Sequence, residues 1–115
     1  MSKKELEFHD PKLDGQWRRP EGYPEGITEL IITQCPESHV FTRFLKFEPG
    51  VKSTNTLSHE CWEEVYIIYG DLSANGHTYT EGMVAVRPPH MPHGPFSSEK
   101  GCMTFEVHYE SKQEA

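Results

Sequence analysis

The sequence predicts an all-β domain, a barrel or sandwich built from many short strands. Short runs of β-branched and aromatic residues recur along the chain, and turn residues such as Pro49-Gly50 separate them. No stretch keeps a helical period for more than a turn or two. At 115 residues the chain is long enough for one domain with a single core.

Residues 1–26 are expected to form an irregular N-terminal arm, because Pro and Gly recur throughout them. Phe8, Trp17 and Tyr23 give this arm more aromatic surface than a free tail should show to water. We expect the arm to pack on its own barrel. The alternative is that it crosses to a second subunit, which would make the protein a homodimer.

The barrel itself is predicted to span residues 27–110. Its first two strands correspond to the apolar runs 27–32 and 40–47, which Cys-Pro-Glu-Ser separates. Asn75-Gly76 predicts a hairpin, since both central positions of a type I′ turn need positive φ. The last strand is predicted at 103–109, and residues 111–115 are expected to be a frayed tail.

Composition excludes several kinds of partner. A formal charge of −7 argues against binding to nucleic acid or to an anionic membrane, because both need a basic surface. A small molecule or another protein fits better. The three cysteines form no CxxC, so they indicate neither a disulfide framework nor a cysteine-rich zinc module. The chain shows no apolar run of membrane-spanning length and no apolar signal core, so a cytoplasmic location is expected.

Two segments carry imidazole and carboxylate groups at predicted strand ends. In the first, His59 and Glu63 precede the apolar run 65–69. In the second, the short strand 84–86 runs into a proline-rich loop that carries His90 and His93.

Both segments resemble the two signature motifs of the cupin superfamily. The first motif is matched by Gly50, by His59 and Glu63 with three residues between them, and by Gly70 with six residues between it and Glu63. Leu57 stands where the motif has its first His, and the gap after Gly50 is one residue longer than usual. Within the superfamily, residues 59–72 followed by residues 93–102 are similar to the branch of anti-sigma-factor cupins and acetylacetone-cleaving dioxygenases.

The second motif is matched at Gly82, Pro88 and His93, whereas His90 replaces a Gly and Ser97 an Asn. The resemblance implies a double-stranded β-helix, the jelly-roll cupin barrel. It also implies dimers, which small cupins often form.

The resemblance implies a metal site made of His59, Glu63 and His93. Side chains alternate along a strand, so His59 and Glu63 share a parity that we take as the barrel interior. Two imidazoles and one carboxylate suit Fe(II) but also accept Zn, Mn or Ni.

Leu57 removes one expected ligand, and three side chains could replace it. Cys61 shares the parity of His59 and Glu63, although a free cysteine is usually a small buried apolar residue. His90 precedes His93 by three residues, and its alternative is a loop histidine at the barrel mouth. His108, on the last strand, is expected to lie on the sheet surface instead. Water could also fill the position.

A ligand pocket is expected around the metal. The side chains predicted to line it are Leu57, Tyr66, Met83, Arg87 and Phe96. Arg87 could bind a carboxylate or enolate there, or it could lie on an exposed rim.

Two classes of function remain at this point. One is a metal-dependent enzyme, a mononuclear non-haem Fe(II) oxygenase that acts on a small dicarbonyl, hydroxyketone or phenolic compound. The other is a non-catalytic binding or sensory module with a structural metal or a small ligand.

Overall fold

The computed structural model of the chain describes residues 3–110, and its main feature is a six-stranded antiparallel sheet. In chain order its elements are α1 (Pro11–Asp14), β1 (Ile27–Gln34), β2 (Phe41–Phe47), β3 (Trp62–Ala74), β4 (His77–Thr80), β5 (Val84–Arg87) and β6 (Cys102–Tyr109). The strand order is β1-β2-β6-β3-β4, and β5 also pairs with β3. The predicted all-β class is confirmed. The tail 111–115, predicted to fray, lies outside the described residues.

The loop before the long strand β3 pairs with the loop between β5 and β6. Leu57 and His93 pair through two backbone hydrogen bonds, since each N–H donates to the other's carbonyl at 2.7 and 2.8 Å. Ser97 makes further bridges to Lys52 and to Ser73. These bridges bring the two predicted ligand segments together.

The turn between β3 and β4 confirms the predicted hairpin. Asn75 and Gly76 have φ values of 54° and 79°, the positive values that a type I′ turn requires. Gly70 within β3 also has a positive φ, and a Cβ at this position would meet the backbone of Gly101. Only glycine therefore allows β3 to pass this close to the start of β6.

The core lies at one end of the sheet and is apolar. Its buried members are Ile27, Leu45, Phe47, Ile67, Leu72 and Cys102. On β2, the inward parity that supplies Leu45 and Phe47 also carries Arg43, which is buried as well. The inner face of β2 thus changes from apolar to charged along the strand.

The N-terminal arm contacts its own barrel. Tyr23 packs against the core, and its hydroxyl accepts a hydrogen bond from Arg43 Nη2 at 3.1 Å. The Trp17 ring centroid lies 6.0 Å from Nζ of Lys46 on β2. Phe8, in contrast, is fully exposed. The homodimer expected from this arm stays a prediction.

Candidate metal centre

Glu63 lies at the centre of a polar row that crosses three neighbouring strands. In the register of the sheet it is opposite His108 on β6 and opposite Arg87 on β5. His108 Nε2 lies 2.9 Å from Glu63 Oε2, and Arg87 Nη1 donates to Glu63 Oε1 at 2.8 Å. Residues that face each other across antiparallel strands share one face, so all three side chains point into the barrel.

His59 completes a group of three donors with Glu63 and His108. It lies just before β3, and its Nε2 is 3.5 Å from Glu63 Oε2. One ligand atom from each of the three residues can be chosen so that all lie within 4.8 Å of one another. Three donor atoms at this separation can reach a common ion.

The Nε2 atoms of His59 and His108 have no well-formed hydrogen bond, although both are buried. Buried polar atoms nearly always have a hydrogen bond of good geometry, so two nitrogens that approach one carboxylate oxygen at 2.9 and 3.5 Å without forming one need a reason. A metal ion would use the lone pairs of both nitrogens together with that oxygen. The donor set therefore fits a divalent ion.

His93 lies beside this group. Its ring centroid is 4.9 Å from that of His59, and its Nδ1 lies 3.5 Å from Arg87 Nη1. The side chain is buried. Of the three ligands predicted from the sequence, His59 and Glu63 thus converge with His108, and His93 is adjacent to them.

The expectation that His108 lies on the sheet surface is wrong. Its side chain is 1% exposed, among the most deeply buried in the described part of the chain. The reason is parity, since His108 shares the inward face of β6 with Glu106, Thr104 and Cys102, all buried. In the sequence, the alternation of these residues along β6 indicates that they share one face of the strand. The pairing of His108 with Glu63 identifies that face as the one directed at the candidate metal centre.

The other two candidate ligands lie elsewhere around the centre. Cys61 Sγ is 3.6 Å from His108 Nδ1, the nitrogen on the far side of the ring from Glu63. This sulfur therefore contacts the back of the imidazole. His90 is exposed, and its backbone N–H donates to the His59 carbonyl at 2.7 Å.

A second charged cluster continues from the centre into the barrel. Arg43 Nε donates to Glu106 Oε1 at 2.9 Å, and Arg43 Nη1 donates to Glu29 Oε1 at 2.8 Å. Glu106 Oε1 in turn lies 3.7 Å from His108 Nε2. Sequence reasoning missed this cluster, because its members come from three strands.

The surroundings set the protonation of the central groups. Burial disfavours the charged form of Glu63, but the imidazoles of His108 and His59 outweigh it and hold the pKa of Glu63 below its ordinary 4.5. Burial likewise opposes the charge on His108, yet its contacts with Glu106 and Glu63 raise its pKa above the ordinary 6.5. Burial lowers the pKa of His93 to about 4, so this imidazole is neutral at pH 7.

These shifts predict that two histidines give the metal-free protein opposite dependences of stability on pH. The folded pKa of His93 lies below its unfolded value, so protons favour the unfolded chain and stability is lost as pH falls from 6.5 towards 4. The folded pKa of His108 is raised, so its contribution is fully present below pH 6.5 and is lost as pH rises through the raised value.

Urea unfolding of chelator-treated protein across pH would check both dependences. His93→Gln should flatten the acid side of the profile, and His108→Gln should flatten the alkaline side. Profiles of both variants that parallel the wild type would contradict the assignment.

An apolar cavity of about 320 Å³ lies next to the centre. Of the residues predicted to line the pocket, Met83, Arg87 and Phe96 line this cavity. Leu57 instead lines a separate cavity against the arm. Tyr66 lies on the outer face of β3, is 44% exposed and lines none of the described cavities, because its parity is opposite to that of Glu63.

Comparison of the sequence with known families gives one match. The model of the family described as the ChrR Cupin-like domain matches residues 14–112. No curated protein matched the chain. Among the described residues, no helix is long and apolar enough to cross a membrane.

Solved structures with a similar fold include three that bear on function. An RmlC-like cupin from Shewanella frigidimarina NCIMB 400 is 17% identical with a TM-score of 0.72, over 98% of this chain and 97% of that one. An acetylacetone dioxygenase from Acinetobacter johnsonii is 15% identical with a TM-score of 0.70, over 91% and 72% of the two chains. A third match is a chain in the complex of Rhodobacter sphaeroides SigE with the anti-sigma ChrR, which is 16% identical with a TM-score of 0.63. This match covers 84% of the present chain and 50% of the other one. These likenesses show the fold.

Proposed function

Because the chain belongs to the ChrR-like cupin family, we propose that it is a small metal-binding cupin whose barrel holds a divalent ion between β3 and β6. His59, Glu63 and His108 supply the converging ligands, and His93 is adjacent as a fourth donor. The observation that carries this proposal is the convergence of ligand atoms of His59, Glu63 and His108 within 4.8 Å, with the Nε2 atoms of both histidines buried and without a well-formed hydrogen bond. Imidazole and carboxylate together suit Fe, Zn, Ni or Mn.

The ligand set includes one residue that the motif does not supply. Leu57 occupies the position of the missing motif His, and its backbone pairs with His93. His108 reaches the centre from β6 instead. The proposed ligand set therefore still contains two imidazoles, although the first His of the motif is absent.

The proposed reaction is the metal-dependent oxygenation of a small dicarbonyl, hydroxyketone or phenolic compound. A bound divalent ion would act as a Lewis acid on an enolate or phenolate oxygen, and Fe(II) would add the capacity to activate O₂. His108 and His59 would keep Glu63 ionised, and burial would keep His93 neutral. Apolar side chains of the adjacent cavity would surround the substrate and exclude water. The acetylacetone dioxygenase among the similar structures supports this class of reaction.

Metal analysis tests the site and turnover tests the reaction. Protein purified without chelator or His-tag should carry about one metal ion per chain. The Fe(II) form should then consume O₂ with at least one member of a panel of β-diketones, hydroxyketones and phenols. Metal content near zero after reconstitution with Fe, Zn, Ni and Mn would contradict the metal site. A loaded protein that is inactive on the whole panel would contradict the oxygenase.

The second candidate is a non-catalytic sensory module with a structural metal or a small ligand. The family description and the SigE–ChrR complex favour it, since that complex joins a sigma factor to an anti-sigma protein. A stable heteromeric complex recovered by pull-down, together with inactivity on the substrate panel, would support this function. A cytoplasmic location remains part of both proposals.

A further inference from the structure

We propose that the apolar cavity beside Arg87 binds a small monoanion with an apolar body, such as an aromatic carboxylate, an enolate or a phenolate. The proposal rests on the metal site proposed above, because the ion completes the charge that would attract the anion. It assigns Arg87 as the residue that selects a charged ligand over a neutral one of the same shape.

The cavity has a charged inner end and apolar walls. Val65, Met83, Ala85 and Met91 contribute apolar surface, and Arg87 lies at the inner end together with His93 and Phe96. A small cavity deeper in the barrel shares Arg87 and also contacts Glu63. Arg87 is therefore part of the wall between the apolar cavity and the candidate metal centre.

Arg87 has N–H groups that are available to bind a ligand. Its Nη1 donates to Glu63 Oε1, and its guanidinium carbon lies 5.5 Å from the Phe96 ring centroid. Among the described residues, no contact uses its Nε or its Nη2. A guanidinium has five N–H groups in a planar fork that suits a carboxylate. The side chain is only 16% exposed, so an anion reaching it would leave bulk water.

The charges in the barrel interior also favour an anion once the metal is bound. Five charged side chains there are at most 16% exposed, namely Glu29, Glu63, Glu106, Arg43 and Arg87, and the mostly exposed Arg18 contacts Glu29 from the surface. When the imidazoles are neutral, as metal ligands are, the three carboxylates and the two guanidinium groups of these five side chains leave one excess negative charge. A divalent ion changes this to one excess positive charge. Uncompensated charge is costly in a poorly hydrated interior, so a monoanion beside the metal restores balance.

The size of the cavity limits the body of the ligand. A volume of about 320 Å³ lies at the small end of ligand pockets. The rest of the lining is mostly apolar and includes the polar residues Asn75 and Tyr79, but Arg87 is the one cationic residue among the described residues that line it. We therefore infer one anionic head and a compact apolar body of roughly one ring.

Benzoate and its neutral analogue benzamide distinguish charge from shape. Both are titrated calorimetrically into zinc-loaded and into chelator-treated protein, and bound zinc is measured beforehand. Benzoate should bind the zinc form at least ~10-fold more tightly than benzamide does, because charge-assisted hydrogen bonds are worth more than neutral ones. Removing zinc should weaken benzoate binding by at least ~10-fold and leave benzamide binding unchanged, since only the anion depends on the charge balance.

Two variants locate the binding site, and a third is a matched control. Arg87→Gln should weaken benzoate binding at least ~10-fold, and Ala85→Leu should do the same by filling the cavity. Arg19→Gln removes an exposed arginine and should change nothing. Because Arg87 contacts Glu63, zinc content is compared first, and Ala85→Leu alone carries the test if Arg87→Gln has lost its metal.

The outcomes separate this inference from the metal site itself. Protein that takes up no zinc overturns the metal site. Zinc-loaded protein that binds benzoate and benzamide equally, or that keeps its benzoate affinity in either metal-loaded variant, overturns the anion site and leaves the metal site standing.

Discussion

Replacing His108 with Gln should lower the affinity for Zn(II) by more than ~100-fold. Loss of a residue that merely supports a metal ligand costs ~10–100-fold in affinity, and removal of a ligand should cost more. Gln fills much of the space of the buried imidazole but offers no nitrogen lone pair. The measurement is a competition titration against a chelator of known affinity, with folding checked by circular dichroism.

His77→Gln is the matched control, because His77 is exposed on β4 and lies outside the converging group. It should bind Zn(II) as the wild type does. His93→Gln distinguishes between two ligand sets. The sequence predicts His93 as the third ligand beside His59 and Glu63, whereas the structure indicates His108. If His93→Gln loses the metal and folded His108→Gln keeps it, the ligands are His59, Glu63 and His93, and the role given to His108 is wrong.

The sequence could predict the part of the site that lies within β3 and the few residues immediately before it. His59 and Glu63 are close in sequence and share a parity, so the spacing alone places them on one face. The Asn75-Gly76 turn is equally local, because two positive φ values decide it. Both predictions needed only a few neighbouring residues.

The residues that sequence reasoning missed depend on register between distant strands. His108 reaches the site because β6 pairs with β3 so that Glu63 and His108 are opposite. A shift of one residue in that pairing would turn His108 to the outer face. No local pattern fixes such a register, since it follows from how all the strands pack.

Arg43 shows the same limit for a buried charge. In the sequence of β2, Arg43 is a single arginine among the apolar residues Phe41, Leu45 and Phe47. In the structure Arg43 faces inward and is 4% exposed, because Glu29 on β1 and Glu106 on β6 supply its partners. A charge can be buried when such partners are present, but they lie on other strands and cannot be identified from β2 alone.

Replacing Arg43 with Met should reduce the free energy of unfolding by roughly 3–5 kcal/mol, the usual cost of removing one partner from a buried ion pair. Met keeps the length and the apolar stem of the side chain. The loss of its charge leaves Glu106 buried without a guanidinium partner and leaves Glu29 with only the exposed Arg18. Urea unfolding of the chelator-treated protein measures the change.

The pH dependence of Arg43→Met distinguishes stranded charge from poor packing. Burial alone raises the pKa of a carboxyl, and Arg43 is the main group that lowers that of Glu106 in the wild type. The wild type therefore loses the contribution of Glu106 as pH falls below the ordinary 4.5. In the variant the folded pKa of Glu106 should lie above the unfolded one, so lowering the pH should recover part of the lost stability.

Arg18→Met is the control for Arg43→Met, because Arg18 contacts the same Glu29 from the surface. Its Nε lies 3.3 Å from Glu29 Oε2, and its side chain is 68% exposed. Exposed ion pairs contribute about 0–1 kcal/mol, so this variant should remain close to the wild type. Equal losses in both variants, or a loss in Arg43→Met that does not shrink as pH falls towards 5, would mean that packing rather than stranded carboxylate charge accounts for the role of Arg43.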